Sequence, residues 1–194
     1  MKYAEMGKTR TIDRDHVLDM AEQIVGEQGA AALSIDALAK AAGISKGGVQ
    51  SCFGNRHGLI QAMLDRWAVQ YDQRLQAMAG TAANTLTAEE LIRHHVAITD
   101  DEHELNTRAA CQIIALMDER QFTSWLRSWH DKRLLALDVR TPEGKRMRLA
   151  YLATEGAFVL RYFGLSSLND NDWASIFSEI ADLSENGSMI RSGR

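Results

Sequence analysis

The stretch Ile35-Asp36-Ala37-Leu38-Ala39-Lys40-Ala41-Ala42-Gly43-Ile44-Ser45-Lys46-Gly47-Gly48-Val49-Gln50-Ser51-Cys52-Phe53-Gly54 decides how the chain reads. It fits two short helices joined by a tight turn. Counted from Ile35, the fifth position is Ala39 and the ninth is Gly43. The fifth must be small because the second helix crosses closely there, and the ninth takes a positive φ that glycine adopts without steric cost. Leu38, Ala42, Ile44, Val49 and Cys52 fall where side chains pack between the two helices. Seven residues at fixed spacing make a helix-turn-helix, a more specific signal than a lone glycine motif. A helical hairpin with no DNA role is the plain alternative.

Working outward, Thr11 can cap a helix whose apolar positions are Val17, Met20, Ala21, Ile24 and Val25, and Gly29 ends it. Ser34 and Ser45 cap the two helices of the motif, and Asn55 caps a long helix over residues 55–79. Residues 80–87 are small and polar, a loop. Beyond it the periodicity predicts helices over 88–99, 101–118, 121–139, 142–163 and 171–185, with residues 186–194 frayed. No repeat or strand pattern is present. Ala occurs 26 times and Val 7 times, a ratio that favours helix. The reading is all-α, with a three-helix domain over residues 1–54 and a second helical domain over 55–194, the long helix connecting them.

The chain has 194 residues, 45% hydrophobic and 25% charged, which suits one or two small globular domains and excludes a disordered chain. Two cysteines do not make a disulfide framework; Cys52 and Cys111 read as small buried thiols in separate domains. The N-terminus lacks the apolar run of a signal peptide, and no stretch approaches the ~18 apolar residues of a membrane span. A cytoplasmic protein with no membrane partner is expected. The net charge of −4 falls on residues 67–194, since residues 1–66 carry basic and acidic side chains in equal number. Residues 37–64 hold no carboxylate, yet carry Lys40, Lys46 and Arg56, with Lys2, Lys8, Arg10 and Arg14 upstream. A local basic patch can meet phosphate while an acidic remainder is repelled.

Glu27-Gln28-Gly29, Leu33-Ser34-Ile35, Leu38-Ala39, Ala42-Gly43-Ile44-Ser45-Lys46-Gly47, Phe53, Arg56 and Leu59 carry a resemblance. Residues 10–66 look like the DNA-binding domain of the TetR family of bacterial repressors. The likeness implies a variable helical domain after it, which binds a ligand and dimerises through its last two helices. Over that part it is looser, nearest to multidrug-sensing members in Leu116-Met117-Asp118, Trp125-Leu126, Trp129 and Glu155-Gly156-Ala157-Phe158. The chain departs from the family at Gln50 and Cys52, where many members carry an aromatic and a histidine that touch phosphates.

Candidate DNA contacts are Ser34, Ser45, Lys46, Gly47, Gly48, Gln50, Ser51 and Arg56. Ser45 and the free amides beside it suit a phosphate, Lys46 supplies a point charge, and Arg56 suits a phosphate clamp. Gly47-Gly48 costs roughly 2 kcal/mol of helix propensity against Ala-Ala, which makes sense where backbone must approach DNA. Gln50 and Ser51 point away from the Val49/Phe53 side and can reach base edges.

The candidate ligand set is Met63, Trp67, Tyr71, Met117, Trp125, Trp129, Tyr151, Glu155 and Phe158. Met63, Trp67, Tyr71 and Leu75 follow i, i+4 steps, a pattern that by itself more often marks core than pocket. The resemblance implies that Tyr71, Trp129 and Phe158 sandwich a flat ligand around one cavity. Glu155, on an otherwise apolar helix, is a candidate partner for a cation. His94, His95, Asp100, Asp101, Glu102 and His103 suggest a metal, but adjacent histidines diverge and residues 99–102 read as a helix cap. No metal or cofactor is expected. Leu152, Gly156 and Leu160 on one stripe, with Trp173, Phe177 and Ile180 on another, are the candidate dimer interface, as in the family.

The function so read is a ligand-responsive DNA-binding transcriptional regulator, a repressor released from double-stranded operator DNA by a small flat apolar or cationic inducer and acting as a homodimer. The alternatives are a helical protein-binding adaptor or a small-molecule-binding enzyme. The chain shows no nucleophile–base pair or phosphate loop that would favour an enzyme.

Overall fold

A computed structural model describes residues 12–185. The chain divides into two compact units, one up to Met63 and one from Leu64 onward. All regular structure among the described residues is helical.

The first unit contains α1 (Arg14–Gln28), α2 (Ile35–Ala41), α3 (Lys46–Phe53) and the start of α4 (Arg56–Ala79). Thr11 lies outside the described residues; the cap of α1 is Asp13, whose carboxylate accepts from the amides of Asp15 and His16 at 3.1 Å each. A carboxylate at a helix N-terminus also meets the positive end of the helix dipole. Lys2, Lys8 and Arg10 are likewise outside the described residues, as are residues 186–194. Ser34 Oγ accepts from the Ala37 amide at 3.1 Å and Ser45 Oγ from the Gly48 amide at 3.0 Å, so both caps form as expected. Gly43, at φ +65°, makes the turn between α2 and α3. Asn55 Oδ1 accepts from the Gly58 amide and starts α4. Val17, Ala21, Leu38, Val49 and Leu59 are fully buried, and Leu18 joins them beyond the stripe read from sequence.

The second unit holds the rest of α4, then α5 (Ala88–Asp101), α6 (His103–Leu116), α7 (Arg120–Leu135), α8 (Pro142–Tyr162) and α9 (Asp170–Glu185). Thr87 and Glu90 close a reciprocal capping box at the start of α5. Pro142 sits in the first turn of α8, behind the Thr141 cap, where its missing N–H costs nothing. Helices α5, α8 and α9 pack on one another around Ile92, Val96, Met147, Ala150 and Tyr151.

One expectation is corrected here. Asp100 and Asp101 form the last turn of α5 rather than a cap for α6, because the Thr99 hydroxyl turns inward and donates to the His95 carbonyl at 2.8 Å. Trp173, Phe177 and Ile180 pack into the subunit's own core, and Trp173 and Ile180 also border an open groove with Gly156 and Leu160 of α8. No helix among the described residues is long and apolar enough to cross a membrane.

Gly58 lies in the first turn of α4, where a Cβ would come 2.1 Å from the Phe53 carbonyl oxygen. Gly58→Ala should therefore lower stability by about 1–3 kcal/mol in urea unfolding. Gly26→Ala, in the open on α1, should instead be neutral or raise it by about 0.5–1 kcal/mol. Equal effects at the two positions would contradict the packing described.

Candidate functional site

The outer face of α3 carries Lys46, Gly47, Gln50 and Ser51, all exposed, while Val49 and Phe53 turn inward. Gly47 has open space about it, so backbone is accessible there. Gly48 is different: a Cβ would lie 2.9 Å from Ile12 Cδ1 and 3.3 Å from Ser45 Oγ. Its missing side chain leaves room for the Ile12 side chain and the Ser45 cap. Lys46 Nζ lies 2.9 Å from the Asp36 carboxylate, both groups exposed. Such a pair contributes about 0–1 kcal/mol, so a phosphate can replace the carboxylate.

Arg56 departs furthest from its expected role. Its Nε donates to the Leu33 carbonyl and a terminal nitrogen to the Ala30 carbonyl, both at 2.9 Å. The guanidinium ties the start of α4 to the segment before α2, and a phosphate clamp is not what it forms. Ser34 is committed to its cap. Arg14, not expected in any role within the fold, donates to the Cys52 carbonyl at 2.9 Å and lies 4.6 Å over the Phe53 ring, pinning α1 to the end of α3. Cys52 is half-buried and Cys111 exposed, so the expectation of a buried thiol fails at Cys111, which sits on the outer side of α6.

The second unit encloses a cavity of about 330 Å³. Its aromatic wall comes from three helices: Trp67 and Tyr71 on α4, Trp129 on α7 and Phe158 on α8. The indole of Trp67 stacks on Tyr71 at 5.5 Å and meets Trp129 edge-on at 4.8 Å. Trp125 stands behind Trp129, stacked at 5.4 Å, outside the lining. Arg133 lies 3.5 Å over the Trp129 ring and donates to the Trp129 carbonyl.

One corner of the cavity is polar. Tyr71 Oη meets His95 Nδ1 at 2.5 Å, and His95 Nε2 meets Glu155 Oε1 at 2.9 Å. His130 Nδ1 lies 2.7 Å from Tyr151 Oη and 3.9 Å from Glu155 Oε1. Burial pushes both phenols up, so Tyr71 and Tyr151 stay protonated. Burial also pushes the Glu155 carboxyl up, but the hydrogen bond and charge of His95, with His130 and Tyr151, outweigh it and hold the group below its ordinary value of 4.5. Burial holds the His130 imidazole below its ordinary 6.5, against the pull of Glu155.

With this geometry in place, comparison with known proteins is decisive. The family model for the tetracyclin repressor-like C-terminal domain matches residues 89–185, and that for bacterial regulatory proteins of the tetR family matches residues 17–63. The chain belongs to the TetR family. It is a DNA-binding transcriptional regulator and not an enzyme. Among curated proteins none matches the sequence. Solved structures share the fold at low identity. A protein assigned as a TetR-family transcriptional regulator from Rhodococcus sp. is 14% identical, with a TM-score of 0.64 over 88% of this chain and 97% of its own. The fatty acid degradation regulator FadR from Bacillus halodurans is 15% identical, with a TM-score of 0.59 over 94% and 99%. The flavonoid-responsive regulator FrrA is 19% identical, with a TM-score of 0.57 over 88% and 94%.

Within this TetR-family chain the expected ligand residues separate. Trp67, Tyr71, Met117, Trp129, Glu155 and Phe158 line the cavity. Met63 is buried in the first unit. Tyr151 is 1% exposed and reaches the cavity only through His130 and Glu155. Thr99, Asn106 and His130 line it too and were not anticipated. Their polar side chains break the apolar stripes that mark pocket positions in sequence. In sequence His95 reads only as a metal ligand, and its neighbour His94 takes no part in the network.

The depressed Glu155 carboxyl stabilises the fold above its ordinary value of 4.5. That contribution is lost as pH falls through the lower folded value. Between pH 5.5 and 3.5 the melting temperature of the wild type should therefore fall more steeply than that of Glu155→Gln, which carries no such proton. Parallel curves would show that the Glu155 charge adds nothing to the fold.

Proposed function

We propose that this TetR-family regulator is a repressor that binds double-stranded operator DNA as a homodimer and leaves it when a flat apolar molecule fills the cavity of the second unit. The cavity carries this reading. Its volume of about 330 Å³ lies within the range of small-molecule sites, roughly 300–1,000 Å³. Aromatic rings from three helices and a single polar corner suit a planar ligand of two or three rings. Glu155 does not favour a cation. That carboxylate already has His95 and Tyr151 as partners, so it offers no unmatched charge.

On the DNA side, Gln50 and Ser51 remain as base readers, since a glutamine can pair bidentately with adenine, and Lys46 as a phosphate contact. Ligand and DNA are linked through α4, which contributes Leu59 and Ile60 to the core of the first unit and Trp67 and Tyr71 to the cavity wall. A ligand releases DNA only if it binds better to a conformation that DNA does not favour. A displaced α4 is such a conformation.

The test begins with operator sites selected from a random DNA pool. Gln50→Ala should relax preference at one base pair by about 1–3 kcal/mol; uniform loss at every site would exclude base reading by this residue. A planar aromatic such as 2-methoxynaphthalene should weaken operator binding in the wild type. Trp129→Ala should remove that response while DNA affinity stays unchanged. Release with an unaltered midpoint in Trp129→Ala would place the inducer elsewhere.

The homodimer is assigned to the outer side of α8. Leu152 and Leu160 are 50% and 45% exposed there, and Gly156 lies between them, exposed, with open space around it. Because these side chains do not belong to the subunit's own core, Leu152→Glu should give folded monomers by sedimentation. A variant still dimeric at low micromolar concentration would move the interface to another surface.

A further inference from the structure

Asn106, on α6, is 7% exposed and lines the cavity. Two carbonyls fix the orientation of its amide. Nδ2 donates to the Ile98 oxygen at 3.1 Å and to the Thr99 oxygen at 3.0 Å. An amide turned the other way would set its own oxygen against both carbonyls, so Nδ2 and Oδ1 cannot be exchanged. Both N–H protons are thereby used on the last turn of α5. Among the described residues no donor reaches Oδ1, and this oxygen is not closed off as a buried atom. Two other groups around the aromatic wall lack partners, and they are of the opposite kind. Trp67 Nε1 and Arg133 Nε are N–H donors, and both atoms are buried. They show no surface to a molecule in the cavity, whereas the Asn106 oxygen does.

From this we infer that Asn106 sets the specificity of the cavity, selecting a planar aromatic whose edge carries a hydrogen-bond donor, such as a ring N–H. The inference rests on the reading of the cavity as the inducer site. The rings of Trp67, Tyr71, Trp129 and Phe158 hold the faces of the ligand. Its donor is taken up by Asn106 Oδ1, beside Thr99, one turn of α5 beyond His95. A ring without a donor would strip this oxygen of water and return nothing, a cost the matching ligand avoids. A ring with an acceptor at the same edge would set two lone pairs against each other. The selection needs no charge on either side, since the amide is neutral at every pH where the fold exists.

The experiment compares indole, indene and benzofuran by calorimetric titration of the full chain. These rings share one shape and differ at one edge, which carries a donor, a methylene or an acceptor. A hydrogen bond of ordinary strength predicts that indole binds about two- to tenfold tighter than indene, with benzofuran no tighter than indene. Asn106→Leu keeps the volume and removes the acceptor. It should abolish the advantage of indole and leave the affinity of indene unchanged. Because Asn106 also holds two carbonyls of α5, circular dichroism checks that this variant folds. A measurement on the wild type decides the matter if it does not: the Asn106 side-chain carbonyl carbon resonance should move further downfield with indole than with indene. Equal binding of indole and indene, or tightest binding of benzofuran, overturns the inference and leaves the cavity reading standing. So does an indole preference that survives in folded Asn106→Leu, or one that moves the Asn106 resonance no further than indene does. If none of the three binds, or if Trp129→Ala binds all three as the wild type does, the cavity reading fails and the inference with it.

Discussion

A carboxylate set among aromatic rings has to be given partners, because an isolated buried charge is too costly to keep. Glu155 has them from three elements: His95 on α5, His130 on α7 and Tyr151 one turn back on α8. His95 in turn takes Tyr71 from α4. One charge thus ties four helices together, and the hydrogen-bond directions leave little freedom in how those helices are placed. The aromatic wall depends on this. Trp67 and Trp129 line the cavity beside the polar corner that joins α4, α5, α7 and α8.

The first unit obeys a different constraint, that of very short helices. α2 has seven residues and α3 eight, lengths at which isolated helices are unstable in water. Caps and tertiary ties make up the deficit. Ser34, Ser45 and Asn55 satisfy the free amides, Arg56 holds the carbonyls of Ala30 and Leu33, and Arg14 holds that of Cys52. Several residues that look suited to phosphate are thereby committed to the fold. What the outer face of α3 presents is a compact exposed group, Lys46, Gly47, Gln50 and Ser51, the residues proposed to meet DNA.

The helix-turn-helix was legible in sequence because each of its constraints selects a residue type. Ala39 answers a close crossing, Gly43 a positive φ, and Ser34 and Ser45 free amides. The all-helical second unit was legible too, through its 3.6-residue periodicity. The aromatic lining was only partly so. Trp67, Tyr71 and Trp129 stand in the cavity, but Trp125 and Tyr151, at equally regular spacing, stand behind it. Periodicity fixes the face of a helix and says nothing of how deep its neighbour lies. The polar corner was hidden for another reason. His95 and Glu155 are 60 residues apart, so no local pattern links them, and a charged residue read alone suggests a counterion in the ligand rather than in the protein.

The two C-terminal stripes make the same point in a form that bears on assembly. An apolar stripe shows that a face is buried but not by what. On α9 the stripe of Trp173, Phe177 and Ile180 is covered by α5 and α8 of the same chain. On α8 the face toward Met147, Ala150 and Tyr151 is core, while Leu149, Leu152 and Leu160 on the other side remain about half exposed. Over residues 149–160 helix α8 is therefore apolar apart from Thr154 and Glu155, and such a stretch needs cover on both sides. The subunit covers one. Single exposed leucines are ordinary on a protein surface, but a row of them along one helix, with Gly156 offering close backbone approach, calls for a partner surface of the same character. A second copy presents that surface by symmetry, since a two-fold axis brings each patch onto itself. The outer row of α8, with Trp173 and Ile180 of α9 at the edge of the same groove, is accordingly the surface we propose for the meeting of two subunits.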